Sequence, residues 1–461
     1  MTESSNTDDS KAVVLAAVTL SSFLTPMALS SVTVALPTMA KDLGMSAILM
    51  SWVASAYLLA AAAFLVPLGR TADIVGRKKI FLIGTIIFTA TSFILTFLNS
   101  TATIIALRAV QGLGGAMIFG TGVAILTSVF PASERGRAIG ISVAAVYLGL
   151  SAGPFLGGIL TEEIGWRSVF FINVPFGIAI FCFCVWKLHG EWADARGEAF
   201  DYVGSGIYCL VLIIIMYGFS VLPRLSAFLF ILPGLIGIYL FMLWEKRVKS
   251  PVMNVSLFKK NRVFTLSNLA ALINYSATYG VGFLLSLYLQ QIKNFSPMKA
   301  GLILVSQPIV QALLSPMAGK LSDRKEPRIL ASAGMAIDAL GLFLLAFISP
   351  STPTSYILAD LVILGIGFAL FSSPNTNAVM GSVETKLYGV ASSTLSTMRL
   401  LGQMFSMGVA MLLFSVYIGE AEIGPESLPA LMTSERVAFI TFGGLCLIGI
   451  YASLSRGDLH E

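Results

Sequence analysis

Arg108 and Gln111 stand one helical turn apart inside an otherwise apolar run, Leu107-Arg108-Ala109-Val110-Gln111-Gly112-Leu113-Gly114-Gly115. At that spacing the two side chains can share one helix face. A guanidinium in such a run is costly unless it meets a cavity or a polar partner, so a functional role competes with that of an interhelical strut. Two acids are placed in the same way. Asp338 lies in Gly334-Met335-Ala336-Ile337-Asp338-Ala339-Leu340, and Asp360 in Leu358-Ala359-Asp360-Leu361. An ionised carboxylate is equally unwelcome there, and the chemistry open to it is to load and release a proton. The alternative is an acid kept neutral or paired to hold helices together. Arg108, Asp338 and, with less reason, Asp360 are the candidates for proton coupling.

Polar and aromatic side chains in the apolar runs are candidates for binding a cargo: Tyr57, Gln111, Asn274, Tyr275, Gln307, Gln311, Asn375, Asn377, Arg399 and Gln403. Gln307 with Gln311, and Arg399 with Gln403, are i, i+4 pairs. Pro308 and Pro374 stand beside polar residues, and interrupted membrane helices often line binding sites. For each residue alone, hydrogen bonding between helices is the competing explanation.

Other chemistries find no residues. The two histidines, His189 and His460, fall in a loop and in the C-terminal tail, so an intramembrane metal site or Ser-His nucleophile is not expected. Cys182, Cys184, Cys209 and Cys446 lie in apolar segments, and Cys182 and Cys184 have the wrong spacing for a CxxC pair. No Walker A sequence or hydrophilic domain for an ATPase is present. An enzyme is not expected, and no cofactor is implied.

These residues must be held by membrane-spanning helices. Of 461 residues 56% are hydrophobic and 11% charged, against about 25% charged in a soluble domain. Apolar windows predict about fourteen spans: 12–36, 47–69, 79–98, 101–129, 136–160, 168–188, 202–222, 226–245, 262–289, 298–319, 329–348, 354–380, 386–418 and 435–455. The thirteenth is long enough to tilt or protrude. The polar, acidic start does not resemble a secretory signal, and the first span is expected to be uncleaved. With the N-terminus inside, inner loops hold 21 Lys and Arg against 6 outside, so both termini are expected in the cytoplasm. The net charge of +5 is spread over short loops, which suits lipid headgroups and not nucleic acid.

Gly69-Arg70-Thr71-Ala72-Asp73 after the second span is echoed by Gly319-Lys320-Leu321-Ser322-Asp323 after the tenth. With 200–250 set aside, each half has six spans. The expected fold is therefore an all-α membrane protein of two six-helix bundles, 1–199 and 251–461, with an inserted helix pair at 200–250.

The longer loop Gly69-Arg70-Thr71-Ala72-Asp73-Ile74-Val75-Gly76-Arg77-Lys78-Lys79 places an acid among bases at two helix ends. A carboxylate there can cap a helix and form a contact that breaks as the halves move. It resembles the loop signature of the major facilitator superfamily, which would make Gly69, Asp73, Gly76, Arg77 and Asp323 parts of a cytoplasmic gate. In that superfamily the arginine matching Arg108 is associated with proton coupling. Gly149-Leu150-Ser151-Ala152-Gly153-Pro154-Phe155-Leu156-Gly157-Gly158 carries glycines at i, i+4 and i+8 and a proline bend. Gly149, Gly153, Pro154 and Gly157 resemble the superfamily's antiporter motif, which implies exchange. Together with Gly165-Trp166-Arg167, Asp201-Tyr202-Val203-Gly204 and Ser250-Pro251-Val252-Met253 before Leu257-Phe258, the whole chain resembles the fourteen-span drug:H⁺ antiporter family.

One departure stands out. Members of that family usually carry an acid in the first span, where Ala28 stands here, and Thr33 replaces an asparagine. The resemblance implies a monomer that exports amphipathic small molecules (drugs, dyes, biocides) in exchange for protons. Arg108 and Arg399 without a first-span acid leave an anionic, lipid-like or zwitterionic cargo open, and a native metabolite or lipid is the alternative cargo. Eighteen methionines and 11% aromatics suit an adaptable cavity but are equally ordinary lipid-facing filler.

Overall fold

A computed structural model describes residues 2–188, 190–222, 224–248, 251–252, 258–259, 261–322, 324–384, 387–419 and 423–457. Among them, 14 helices are long and apolar enough to cross a bilayer. They are α1 Lys11–Leu43, α2 Ala47–Val75, α3 Arg77–Leu95, α4 Thr101–Val129, α5 Arg137–Glu163, α6 Ser168–Lys187, α7 Tyr202–Phe219, α8 Leu225–Glu245, α9 Arg262–Ile292, α10 Pro297–Ser322, α11 Pro327–Leu345, α12 Thr354–Gly381, α13 Tyr388–Tyr417 and α14 Pro425–Leu454. An even number of crossings puts the start of α1 and the end of α14 on one face, here the termini face.

Two helix limits extend furthest beyond the hydropathy windows. α1 runs on through Pro37 to Leu43, and α14 begins at Pro425, ten residues before the predicted 435. The predicted window opens at Glu435 and leaves out the preceding turns from Pro425, which the structure includes in the helix. α13 is not exceptional in length beside α1 and α9.

In the first half α1 packs on α5, and α4 on α2 and α3. In the second, α9 packs on α13 and α12 on α11. α7 and α8 pack on each other, and α7 also lies against α2 and α13. Tyr208 Oη donates to the Ala62 carbonyl at 3.1 Å, and the rings of Phe219 and Phe405 meet edge to face.

The two halves repeat one another down to individual glycine contacts. A Cβ on Gly149 of α5 would strike the Phe23 carbonyl and approach Met27 N at 3.2 Å; on Gly402 of α13 it would meet the Leu272 carbonyl at 2.6 Å and Ser276 N at 3.1 Å. A Cβ on Gly114 of α4 would lie 2.8 Å from Phe88 N and 2.9 Å from Gly84 O. On Gly367 of α12 it would lie 2.8 Å from Asp338 N and 2.9 Å from Gly334 O. Small residues at these crossings let helices approach at backbone distance. Gly69 and Gly319 fall in the same register as Gly84 and Gly334. Asp338 therefore occupies the position that Phe88 fills in the first half.

At the face opposite the termini the halves close on each other. Gly301 of α10 abuts the Pro154 carbonyl, and a Cβ on Gly158 would stand 2.6 Å from Pro297 O. Met298 N donates to Glu162 Oε2 at 2.9 Å, and Gln290 Nε2 to Val34 O at 2.9 Å.

Candidate functional site

Between the halves lies a cavity walled by α1, α2 and α5 on one side and α9, α10, α12 and α13 on the other. Of the predicted binding residues, Tyr275, Gln307, Gln311 and Gln403 line it. So do Ser30, Thr33, Thr278 and Tyr279, and the apolar remainder includes Phe283, Phe368 and Met407. Two wall helices are interrupted here. α10 breaks between Leu304 and Ser306, because Pro308 cannot donate to the Leu304 carbonyl and its ring crowds it. α9 breaks at Tyr279. α12, in contrast, runs unbroken through Pro374.

Thr33, at the place of the family's asparagine, faces this cavity, whereas Ala28 is buried in the packing one residue from the cavity-lining Leu29. Ser30 Oγ donates back to Pro26 O at 2.8 Å and Thr33 Oγ1 to Leu29 O at 3.2 Å. Each hydroxyl thus spends its proton on its own helix and offers lone pairs outward.

Arg108 sits one layer behind the wall. Its guanidinium is buried, donates from Nε to Val53 O at 3.0 Å and from Nη1 to Gln111 Oε1 at 2.5 Å, and stacks 4.7 Å from the Tyr57 ring centroid. Gln111 Nε2 passes the chain on to Ser92 Oγ at 2.7 Å. Among the described residues no carboxylate forms an ion pair with Arg108, and its Nη2 has no partner. Gly112 and Gly115 make the pocket: a Cβ on either would strike Tyr57. Gln111→Leu should therefore lower stability by about 2–4 kcal/mol by orphaning a buried charge. The double variant Arg108→Met/Gln111→Leu should recover most of that loss. Thermal unfolding in detergent reads both, and equal losses in the two would contradict the charge argument.

Asp338 is fully buried. Asn274 Nδ2 donates to its Oδ2 at 3.0 Å, and Oδ1 has no partner among the described residues. Asn274 directly precedes the cavity-lining Tyr275 on α9, so the residue that holds the acid is next in sequence to one in the cavity wall. Asp360 is buried, with neither oxygen partnered among the described residues. A Cβ on Gly341, one turn beyond Asp338, would stand 3.5 Å from Asp360 Oδ1.

Asn375, Asn377 and Arg399 do not line the cavity. Asn377 Nδ2 donates to Ser322 Oγ at 2.6 Å. Arg399 turns to Thr376 Oγ1 at 2.7 Å and lies 5.6 Å from the Tyr275 ring. Asn375 belongs to a clasp at the termini face that sequence reasoning missed: Arg456 Nη1 donates to Asn375 Oδ1 at 2.8 Å and to Ser267 Oγ at 3.1 Å. Burial draws the Arg456 guanidinium down to about 10, Glu326 opposing, which leaves it charged at neutral pH. The second residue missed is Glu435, buried on α14 with neither oxygen partnered among the described residues.

At the α2–α3 turn the loop acid pairs with a base and does not provide the helix cap that the sequence allowed: the N-cap position of α3, Gly76, has no side-chain cap. Asp73 Oδ1 accepts from Arg77 Nε at 2.8 Å and Nη2 at 2.7 Å, and Arg77 also bonds Ser128. Gly76 has φ +131°, and a side chain there would collide with Glu191. The chain after α6 straps this turn: Glu191 accepts from Lys78 N at 2.8 Å, while Asp194 pairs with Arg77 at 2.8 Å and Glu198 with Arg70 at 2.5 Å. Gly69, Asp73 and Arg77 also border a second cavity, which reaches between α2, α4 and α13 at the termini face. Asp323, the counterpart in the second half, lies outside the described residues, as do His189, His460 and part of 250–257.

The glycine stripe of α5 packs within its own half. Gly149, Gly153 and Gly157 ride on the carbonyls of Phe23, Met27 and Ser31 of α1, the same i, i+4, i+8 series. The adjoining face, Pro154 and Gly158, meets α10 of the other half.

Among the described residues, fourteen long apolar helices in two repeated halves around a largely apolar cavity are the architecture of a multi-pass membrane protein. The sequence matches the Major Facilitator Superfamily over residues 18–407 and again over 267–458, and the chain belongs to that family. It is 32% identical over 400 residues to the riboflavin transporter RibZ of Clostridioides difficile, covering 87% of both chains. It is 33% identical over 400 residues to the cephamycin export protein CmcT of Amycolatopsis lactamdurans, covering 84% of this chain and 82% of the relative. The fold superposes on the human organic anion transporter MFSD10 with a TM-score of 0.67 at 14% identity, covering 96% of this chain and 99% of that one. The protein is thus a secondary transporter and not an enzyme.

Proposed function

We propose that this transporter exports small amphipathic compounds across the cytoplasmic membrane in exchange for protons, working as a monomer by alternating access. The bundles 1–199 and 251–461 rock about the central cavity, with 200–250 as an inserted pair. The supporting observation is the adjacency of Asn274 and Tyr275: one holds the buried acid Asp338, the other faces the cargo. A change of charge at Asp338 reaches the cavity through a single residue step on α9. Arg108, which cannot titrate at ordinary pH, contributes fixed charge and helix positioning behind the wall. Asp360 lies on the same side of the second bundle and is a second site for the proton.

The excess of Lys and Arg in the loops on the termini side supports a cytoplasmic termini face. The cavity bordered by Gly69, Asp73 and Arg77 then opens inward, and the strapped α2–α3 turn is a gate. Relatives named for cephamycin export and for multidrug resistance support export. A native metabolite as cargo is the second reading, favoured by the riboflavin transporter among the relatives.

The test is purified protein in liposomes with an imposed pH gradient, a lumenal pH dye, and fluorescent cargoes of different charge, against protein-free liposomes. Uphill cargo movement with matching proton flow supports antiport. Cargo movement that ignores the gradient would reject it.

A further inference from the structure

We infer that Glu435 is a proton-binding site separate from Asp338, loaded from the face opposite the termini, and that its proton is the condition for that face to close. Glu435 is 1% exposed on α14, and neither carboxyl oxygen has a partner among the described residues. An ionised carboxylate does not persist in such a place, so the closed face holds the neutral acid. Among the described residues no cation pairs with it. Arg436 beside it turns Nε to the Ala346 carbonyl at 3.2 Å, and Lys293 of α9 reaches the Pro350 carbonyl at 2.8 Å. Arg399 of α13 is bonded to Thr376, while Arg262 and Arg328 stand at the starts of α9 and α11, at the termini face. Asp338 of α11 lies near Cys446, about three turns further along α14. The titratable group within electrostatic range of Glu435 is Tyr288 of α9, itself wholly buried, whose Oη donates to Ser349 O at 2.7 Å.

Tyr288 belongs to the segment that shuts this face. Tyr288–Ile292 is a π-helical turn at the end of α9, a form frequent at functional sites. Gln290 Nε2 donates across the halves to Val34 O at 2.9 Å, and Ser286 Oγ to Thr33 O at 3.2 Å. The Thr33 carbonyl is available because its partner within α1 would be the N–H of residue 37, which is Pro37. Ser286 and Gln290 share one helix face, and Tyr288 between them points away from it. One short stretch thus meets Glu435 on one side and the other half of the molecule on the other. Ionised, the carboxylate demands donors. The nearest are the Tyr288 hydroxyl, now spent on Ser349, and water from the face opposite the termini. Either answer displaces the turn that carries Gln290. The proton comes from water as the face shuts and returns to it as the face opens, so it is not the one exchanged for cargo. This rests on the alternating-access part of the exporter reading.

The experiment reads conformation, without cargo or gradient, in the full chain in lipid nanodiscs. Spin labels stand at the exposed Glu163 and Ser351, one in each half at the face opposite the termini, on a chain with its four cysteines replaced. An exposed glutamate ionises above about pH 4.3, so acid favours closure. From about pH 5 to about pH 8 the ratio of short to long distances should fall by up to about tenfold per pH unit, because closing takes up one proton. Glu435→Gln should keep the face closed and flatten that response, and Glu435→Met should do the same if the glutamine variant folds poorly. Glu435→Asp should retain the response, and so should Asp338→Asn. A distance that ignores pH in the parent chain, a response that survives both neutral variants, or one lost with Asp338→Asn would each overturn the inference. Cargo flux in liposomes that ignores a pH gradient would overturn the exporter reading and leave this result standing.

Discussion

Asp338→Asn protein in liposomes is expected to lose gradient-driven accumulation of cargo while keeping gradient-free exchange. A pH difference of about two units is worth about 2.7 kcal/mol, so one-for-one antiport can concentrate an uncharged cargo about 100-fold. Without a group that takes the proton, that ratio falls to one. The substitution suits the site because asparagine has nearly the same shape, and Asn274 Nδ2 can donate to an amide oxygen as it does to Oδ2. Asp338 lies at the glycine crossing of α11 and α12, where a larger residue would collide with Gly367. A variant that loses both accumulation and exchange would make Asp338 a packing residue. One that keeps accumulation would move the proton to Asp360 or to Glu435.

Glu435 enters that contest only through the structure, and the reason it was hidden is physical. Glu435 stands at the very edge of the predicted span, beside Arg436, where a charge reads as part of a loop; the helix in fact begins well before it, and Arg436 Nε donates to the Ala346 carbonyl at 3.2 Å. Arg456 was hidden in the same way, as one more loop cation. Spacing was informative where partners lie on one helix: Arg108 and Gln111 do bond, and Gln307 and Gln311 do face one cavity. It failed for Arg399 and Gln403, whose shared stripe is wide enough for one to turn toward α12 and the other toward the cavity. The glycine stripe of α5 was legible as a close contact. Its partner was not, because small residues say how near a neighbour comes and not which neighbour it is. The repeat first visible in two loops extends to crossings of backbone on backbone, which sequence comparison of Phe88 with Asp338 would not suggest.

The distinction between contacts within a half and contacts between halves gives the other large expected effect. Gly301→Val places bulk against the Pro154 carbonyl, where the two halves meet at the face opposite the termini. Overpacking of this kind costs about 1–3 kcal/mol. Here the strain is relieved by parting the halves, so it is paid only by the conformation closed at this face. The equilibrium should shift about 5- to 150-fold toward the alternative, closed at the termini face. Spin labels at the exposed Val75 and Lys325, on a chain with its four cysteines replaced, should report a shorter distance across the termini face. Gly149→Val is the control: it collides with Phe23 O inside one half and persists in every state. That variant should lower the unfolding temperature and leave the label distance unchanged. If Gly301→Val behaved like the control, the α5–α10 contact would be part of a fixed core, and alternating access would have to open elsewhere.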